Sequence, residues 1–263
     1  MQIKASDEYK DDLFLLWKEA FGDEDGYISL FFNSIYKKNT RIFALFDNGK
    51  IVSALYLIPS YISADGKAYE GFYLYAAATL KSHRGRGIME TLINEAKNYA
   101  SENGKAFISL VPGEEYLYSY YNKFGFEAVM YRGKSIINCK NDNAKADGFQ
   151  ISFDTYFNER DKKISVPSHH LCAEAYGYAR QCYEYLGLRS FSSDNIAVIY
   201  DAENKCIKEL LSENDDALIK SVLSKGDYIA YSPYGNEKEP FGMVWFADED
   251  IKIKDIYMNI ALD

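Results

Sequence analysis

The chain has 263 residues, of which 48% are hydrophobic and 26% charged, and its formal net charge is −9. This apolar content excludes a disordered chain and is enough for one large domain or two modest ones. The acidic balance, with no basic run in the linear sequence, argues against a nucleic-acid partner and suits a cationic ligand.

Residues 2–4 read as a short first strand. A helix follows, with Leu13, Leu15, Leu16, Trp17, Ala20 and Phe21 on one broad apolar face, Asp7 as its N-cap and Gly22 as its stop. A second helix is expected from Tyr27 to Tyr36. Three strands come next. The first runs into Asp47-Asn48-Gly49, and Asn-Gly is a strong two-residue hairpin signal. The second, Ile51 to Ser63, ends at the turn Ala64-Asp65-Gly66. The third, Ala68 to Leu80, is nearly continuous in apolar and aromatic residues, as in a strand buried on both faces.

The turn Lys81 to Gly87 leads into an amphipathic helix with Ile88, Leu92, Ile93, Ala96 and Ala100 on one side and Gly104 beyond its end. A short strand (Ala106 to Val111), a short helix (Glu114 to Phe124) and a strand opening at Phe126 follow. Residues 1–140 thus form an α/β unit with a mixed sheet. The polar stretch Asn141 to Gly148 reads as a linker.

Residues 149–263 are expected to form a smaller α/β domain. Phe149 to Phe157 reads as a strand, Pro167 to Gly187 as a helix, and Ile196 to Asp201 and Cys206 to Leu211 as strands. A helix capped at Asp215 or Asp216 is expected to stop at Gly226. Asp227 to Gly235 with Phe241 to Phe246 reads as a hairpin, and Ile256 to Asp263 as a final strand.

The stretch Arg84-Gly85-Arg86-Gly87-Ile88-Met89 carries the chemistry. A helix start leaves backbone N–H groups unpaired at the positive end of the macrodipole. Glycines just before it let backbone approach a phosphate closely. With Lys81, Arg84 and Arg86 added, the loop suits a diphosphate. No GxxxxGK(S/T) or GxGxxG run is present, so the P-loop and the dinucleotide fingerprint fit worse.

In this context the loop resembles the (Q/R)xxGx(G/A) motif of the GNAT superfamily of N-acetyltransferases. Arg84 and Gly87 match it, and Met89 stands where Gly or Ala is usual. Tyr121-Asn122-Lys123-Phe124-Gly125-Phe126 is similar to the YxKxGF ending of the fourth helix in the same family. The chain resembles bacterial members that add a degenerate GNAT-like second half. The resemblance implies a GNAT-type mixed, mostly antiparallel sheet flanked by helices. It also implies acetyl-CoA as cosubstrate and an amine as acceptor. Ala78, Thr79, Leu80, Arg84, Gly85, Arg86, Gly87, Ile88 and Met89 would hold the cofactor, and Tyr121 would act as general acid. Tyr118 and Tyr120 compete for that last role, and Glu70, Glu114 and Glu115 are candidate bases.

Other readings are weaker. His169-His170 with Cys172 lacks the second ligand pair of a zinc site and reads as a polar helix start. No GxSxG elbow supports a hydrolase. A non-catalytic acyl-CoA-binding module, carried by Met89, is the alternative to an enzyme, and a nucleotide-binding protein is a third reading. The second half, without its own RGxG loop, is expected to shape an acceptor pocket or to mediate a homodimer. Four scattered cysteines, no apolar leader and no long apolar run point to a soluble cytoplasmic protein with free thiols, away from any membrane.

Overall fold

The computed structural model describes residues 2–141, 151–193, 196–212, 219–220 and 222–262. The first half runs β1 (Gln2–Ile3), α1 (Asp7–Phe21), α2 (Asp25–Ser34), β2 (Arg41–Asp47), β3 (Lys50–Ala64) and β4 (Lys67–Thr79). It continues with α3 (Ile88–Glu102), β5 (Phe107–Leu110), α4 (Glu115–Asn122) and β6 (Glu127–Cys139). The second half runs α5 (Phe153–Arg160), β7 (Ser168–Leu171), α6 (Ala173–Tyr185), β8 (Arg189–Ser193), β9 (Ile196–Asp201) and β10 (Cys206–Leu211). It ends with β11 (Gly226–Ser232), β12 (Glu237–Phe246) and β13 (Ile256–Tyr257).

The strands form one mixed, mostly antiparallel sheet in the order β1-β2-β3-β4-β5-β12-β6-β11-β10-β9-β8. The second half repeats the plan of the first. Two helices precede the antiparallel run β8-β9-β10, as α1 and α2 precede β2-β3-β4. β10 and β11 pair in parallel across a crossover whose residues 219, 220 and 222 are helical, as β4 and β5 pair in parallel across α3. The closing strands are exchanged between the halves. β12 lies against β5, and β6 lies against β11. Val244 and Met243, adjacent on β12, face opposite sides of the sheet and sit in two different core clusters. The crossover Ser212 to Leu218 contains no glycine or arginine, unlike Arg84 to Gly87.

Several elements differ from the sequence reading. α1 is N-capped by Ser6 rather than Asp7, and Gly22 ends it in the left-handed conformation. α2 begins at Asp25, two residues early, and ends at Ser34. The strand expected within 149–157 is the helix α5. Ser152 Oγ accepts from the Thr155 amide at 3.2 Å, and buried Phe153, Tyr156, Phe157 and Arg160 follow helical spacing. The helix expected from Pro167 starts only at Ala173. Ser168–Leu171 is strand β7, paired with Ser60–Ser63 of β3, so His169 and His170 belong to a ladder and not to a helix start. The final strand is reduced to Ile256–Tyr257, Arg189–Ser193 adds the strand β8, and β11 and β12 flank β6 instead of forming a hairpin with each other. Asn141 apart, the expected linker lies outside the described residues, as do the caps Asp215 and Asp216. Among the described residues, no helix is long and apolar enough to cross a membrane. Among the described residues the cysteines form no disulfide with one another.

Candidate active site

β4 organises the site. It pairs with β3 along its length, but with β5 only at Gly71↔Phe107, Phe72↔Ile108 and Tyr73↔Ser109. Gly71 permits that contact, because a Cβ there would stand 2.5 Å from the Phe107 ring and 2.6 Å from its carbonyl oxygen. Past Tyr73 the two strands part, and among the described residues the β5-facing edge of β4 from Leu74 to Thr79 has no ladder partner. The other edge carries a bulge. The β3 register passes from Tyr56↔Tyr75 to Ala54↔Ala78, and Ala76 takes a left-handed φ of 46°. A bulge re-aims a strand, and a non-glycine residue at that φ costs roughly 1–2 kcal/mol. The surroundings therefore hold this backbone in place.

A cleft of about 1510 Å3 lies at the parted strands. Ala78, Thr79, Arg84, Gly85, Gly87, Ile88 and Met89 line it, whereas Leu80 and Arg86 do not. Gly85 and Gly87 have φ of 75° and 72°, with open space where a Cβ would be. Gly87 N-caps α3 with no side-chain cap, so the first-turn amides of a 15-residue helix start at the cleft. Arg84 Nε donates to the Thr79 carbonyl at 3.0 Å, which fixes the exposed guanidinium to the end of β4. Arg86 instead donates to the Ser82 carbonyl at 2.9 Å. Met89 is half-buried and packs on the core cluster that holds Leu92 and Tyr121. His83, on the cleft wall, meets Asp47 at 3.0 Å and Ser82 at 2.8 Å.

Tyr121 lines the cleft and is 8% exposed, and its ring packs against Tyr120 and Phe126. Burial, followed by the neighbouring Tyr120 and Tyr116, pushes its phenol far above the usual range, so it is protonated at neutral pH. Tyr120 also lines the cleft, but Tyr118 does not. Of the three candidate bases only Glu114 lines it. Glu70 pairs with Lys105 at 2.6 Å, and at ~3.3 Å per strand residue it lies roughly 25 Å along β4 from Ala78.

The second half reaches the point where the strands part. Ser109 Oγ donates to the Phe72 carbonyl at 3.3 Å and meets His169 Nε2 at 3.0 Å. The serine has one proton to give, so His169 Nε2–H donates to Ser109. Burial, then the charges of His170 and Arg160, pushes the His169 imidazole down to about 3. In the unfolded chain a histidine titrates near ~6.5. Below that pH the unfolded state binds a proton that the native state refuses. Stability therefore falls as pH drops from about 6.5 towards 3, by up to about 1.4 kcal/mol per pH unit from this group. His169→Gln keeps an N–H donor and removes the titration. Its urea midpoint is expected to fall less than that of the unmodified protein between pH 7 and pH 4.5; parallel curves would refute the assignment.

Residues 3–129 match the family model described as an acetyltransferase (GNAT) domain. This part of the chain is a GNAT acetyltransferase domain. A comparison with curated proteins finds no matching sequence. Among solved structures, a probable N-acyltransferase from Enterococcus faecalis is similar at TM-score 0.72 and 14% identity, over 94% of this chain and 72% of that one. A GCN5-related N-acetyltransferase from Kribbella flavida is similar at TM-score 0.70 and 12% identity, over 94% and 72%. A tandem GNAT protein from the clavulanic acid biosynthesis pathway is similar at TM-score 0.54 and 12% identity, over 95% and 99%. At these identities the likeness concerns the fold, and it extends through both halves of the chain.

Part of the GNAT domain's cleft was not legible in the sequence. The turn between α1 and α2 contributes Phe21, Asp23 and Glu24, and the end of α6 contributes Tyr185 and Leu186. Trp17 Nε1 donates to Asp23 Oδ2 at 2.7 Å, and the Trp17 ring meets Tyr75 edge-on at 5.4 Å. Tyr75 in turn meets the Tyr178 hydroxyl of α6 at 3.1 Å and donates to the Leu262 carbonyl. The only local signal was the turn after Gly22. Nothing near Tyr185 points to a residue over 150 positions upstream.

Proposed function

We propose that the protein transfers the acetyl group of acetyl-CoA to a primary amine of a small molecule or peptide. The observation that carries this reading is the uncapped start of α3, opening beside Arg84 onto a cleft between parted strands. Amides at a helix start and a guanidinium suit a diphosphate. The free edge of β4 near Ala78 and Thr79 suits the thioester, where amide donors would stabilise the carbonyl oxygen as it gains charge. The amine attacks as the free base, and being held in place lowers its barrier. The C–N bond forms, the C–S bond breaks, the nitrogen gives up one proton and the sulfur takes one. We assign the donor to Tyr121, and Glu114 is the candidate base that lines the cleft.

Acetyl-CoA at a hundred times its Kd is expected to stabilise the fold by about 2.7 kcal/mol in thermal unfolding, and ATP to add nothing. Thiol release from acetyl-CoA across a panel of amines tests turnover. Binding without release for every amine would leave a non-catalytic acyl-CoA-binding module. Stabilisation by ATP but not by acetyl-CoA would overturn both readings.

A further inference from the structure

The cleft is larger than a single ligand requires. Ligand sites are commonly ~300–1,000 Å3, and this one is about 1510 Å3. Arg84 and the start of α3 account for one part of it. Another part, reached by way of Trp17 and Tyr75, is walled by Phe21, Asp23, Glu24, Tyr27, Tyr185 and Leu186.

Two observations describe what that part would hold. Seven large hydrophobic residues are exposed among the described residues, and four of them, Phe21, Tyr116, Tyr185 and Leu186, line this one cleft. Exposed apolar surface gathered into a concavity fits the apolar body of a ligand. The second observation is electrostatic. Asp23 and Glu24 each have one oxygen held by a neutral donor, the Trp17 indole at 2.7 Å and the Tyr185 hydroxyl at 2.9 Å. Neutral donors orient a carboxylate without cancelling its charge. Neither residue forms an ion pair among the described residues; the nearby Lys18 is taken by Asp25 at 2.6 Å. The wall is also fixed in place. Tyr185 lies on Gly26, where an added Cβ would stand 3.0 Å from its hydroxyl, and its ring centre is 6.0 Å from that of Tyr27.

We propose that this is the acceptor pocket and that its ligand is an amine carried on an apolar, ring-sized body. This rests on the acyl-transfer reading above and names the substrate class for it. The carboxylates draw in the ammonium form. Aromatic walls then hold the body, by stacking and by burial of apolar surface. The deprotonated nitrogen reaches the free edge of β4. A short hydroxylated amine lacks the body, and a carboxylic acid of the same shape has the wrong charge.

The test uses the full chain and three probes: 3-phenylpropylamine, ethanolamine and 3-phenylpropionate. Thiol release gives kcat and KM, and calorimetry on CoA-loaded protein gives binding without turnover. 3-Phenylpropylamine is expected to exceed ethanolamine in kcat/KM by at least about tenfold, and 3-phenylpropionate not to bind. Asp23→Asn keeps an acceptor for the Trp17 indole and removes only the charge. It is expected to raise the KM for 3-phenylpropylamine about tenfold without changing the affinity for acetyl-CoA. Tyr185→Ala, at a half-exposed position, is expected to bring the two amines' kcat/KM values together. Equal kcat/KM for both amines in the unmodified protein, or an unchanged KM in Asp23→Asn, would overturn the pocket assignment and leave acyl transfer standing. If acetyl-CoA binds and no amine releases thiol, the transfer reading fails and calorimetry alone decides the pocket. Binding of 3-phenylpropylamine that is lost in Asp23→Asn sustains it; no binding to the unmodified protein ends it.

Discussion

Tyr121→Phe is expected to lower kcat by about two orders of magnitude while leaving the affinity for acetyl-CoA within about twofold. The ring is what packs against Tyr120 and Phe126, and phenylalanine keeps it, so the fold should survive. Only the hydroxyl of this cleft-lining residue is lost. A phenol made less acidic by burial is an unpromising base but is reliably protonated. Its weakness as an acid has a counterpart in the leaving group. A thiol titrates near ~8.5 in water, and the same apolar surroundings raise it as they raise the phenol. A raised thiol makes the proton transfer less uphill than the raised phenol alone would. Tyr120→Phe, on the same wall, is the control and is expected to change kcat by no more than a few-fold. A collapse in Tyr120→Phe with normal turnover in Tyr121→Phe would move the role one residue along α4. Thiol release measured against acetyl-CoA concentration separates these outcomes.

Glu209→Ala is expected to cost about 3–5 kcal/mol of stability, the largest effect of any single substitution considered for this protein. Glu209 and Arg160 are each 1% exposed and bond in two places, Nε to Oε2 and Nη2 to Oε1, both at 2.8 Å. Glu209 also accepts from Tyr257 at 2.8 Å and from Tyr156. Truncation leaves the buried guanidinium with Asp161, at 3.1 Å, in place of its two-point carboxylate partner, and takes the Glu209 acceptor from two buried phenols. Domains are commonly stable by only ~5–15 kcal/mol, so the loss should appear as a large fall in the urea midpoint. Arg160→Met combined with Glu209→Leu removes both fully buried charges, leaves the partly exposed Asp161 with His170 and Tyr61, and is expected to recover part of the loss. It should not recover all of it, because the phenols remain unpaired. A change below about 1 kcal/mol in Glu209→Ala would mean that water reaches the pair in solution. The network joins α5, β10 and β13. Through Asp161, which meets both His170 and Tyr61, it continues to β7 and β3. Loss of stability there is expected to disturb the cleft indirectly, through His169 and Ser109, rather than through any residue that lines it.

How far the sequence could be read depended on whether the deciding contacts were local. In the first half they were. Helical spacing of apolar residues marked α1 and α3, the Asn48-Gly49 turn set the β2–β3 hairpin, and unbroken apolar character marked β4 as central. The loop from Arg84 to Gly87 carried its own signal, because left-handed backbone before a helix needs glycine wherever it occurs. In the second half the local signals misled. Residues 149–157 read as a strand because aromatic residues at helical spacing also satisfy a short strand pattern, and the Ser152 cap is a single residue inside that stretch. Residues 168–171 became a strand because β3 offered a free edge more than 100 positions upstream. Polar His169 and His170 could enter the core only because Ser109, Ser168 and Asp161 were there to receive them.

The sequence alone determined the GNAT-type layout of the first half, the glycine-led start of α3 and the tyrosine at the end of α4. Each depends on hydrogen bonds and spacings within a few residues. The tertiary structure alone decided where β4 leaves β5, which carboxylates face the cleft, and that the halves exchange their closing strands. Those outcomes depend on which distant surfaces are buried together. Burial is non-directional and scales with area, so a linear pattern shows that a residue must be covered and leaves open what covers it.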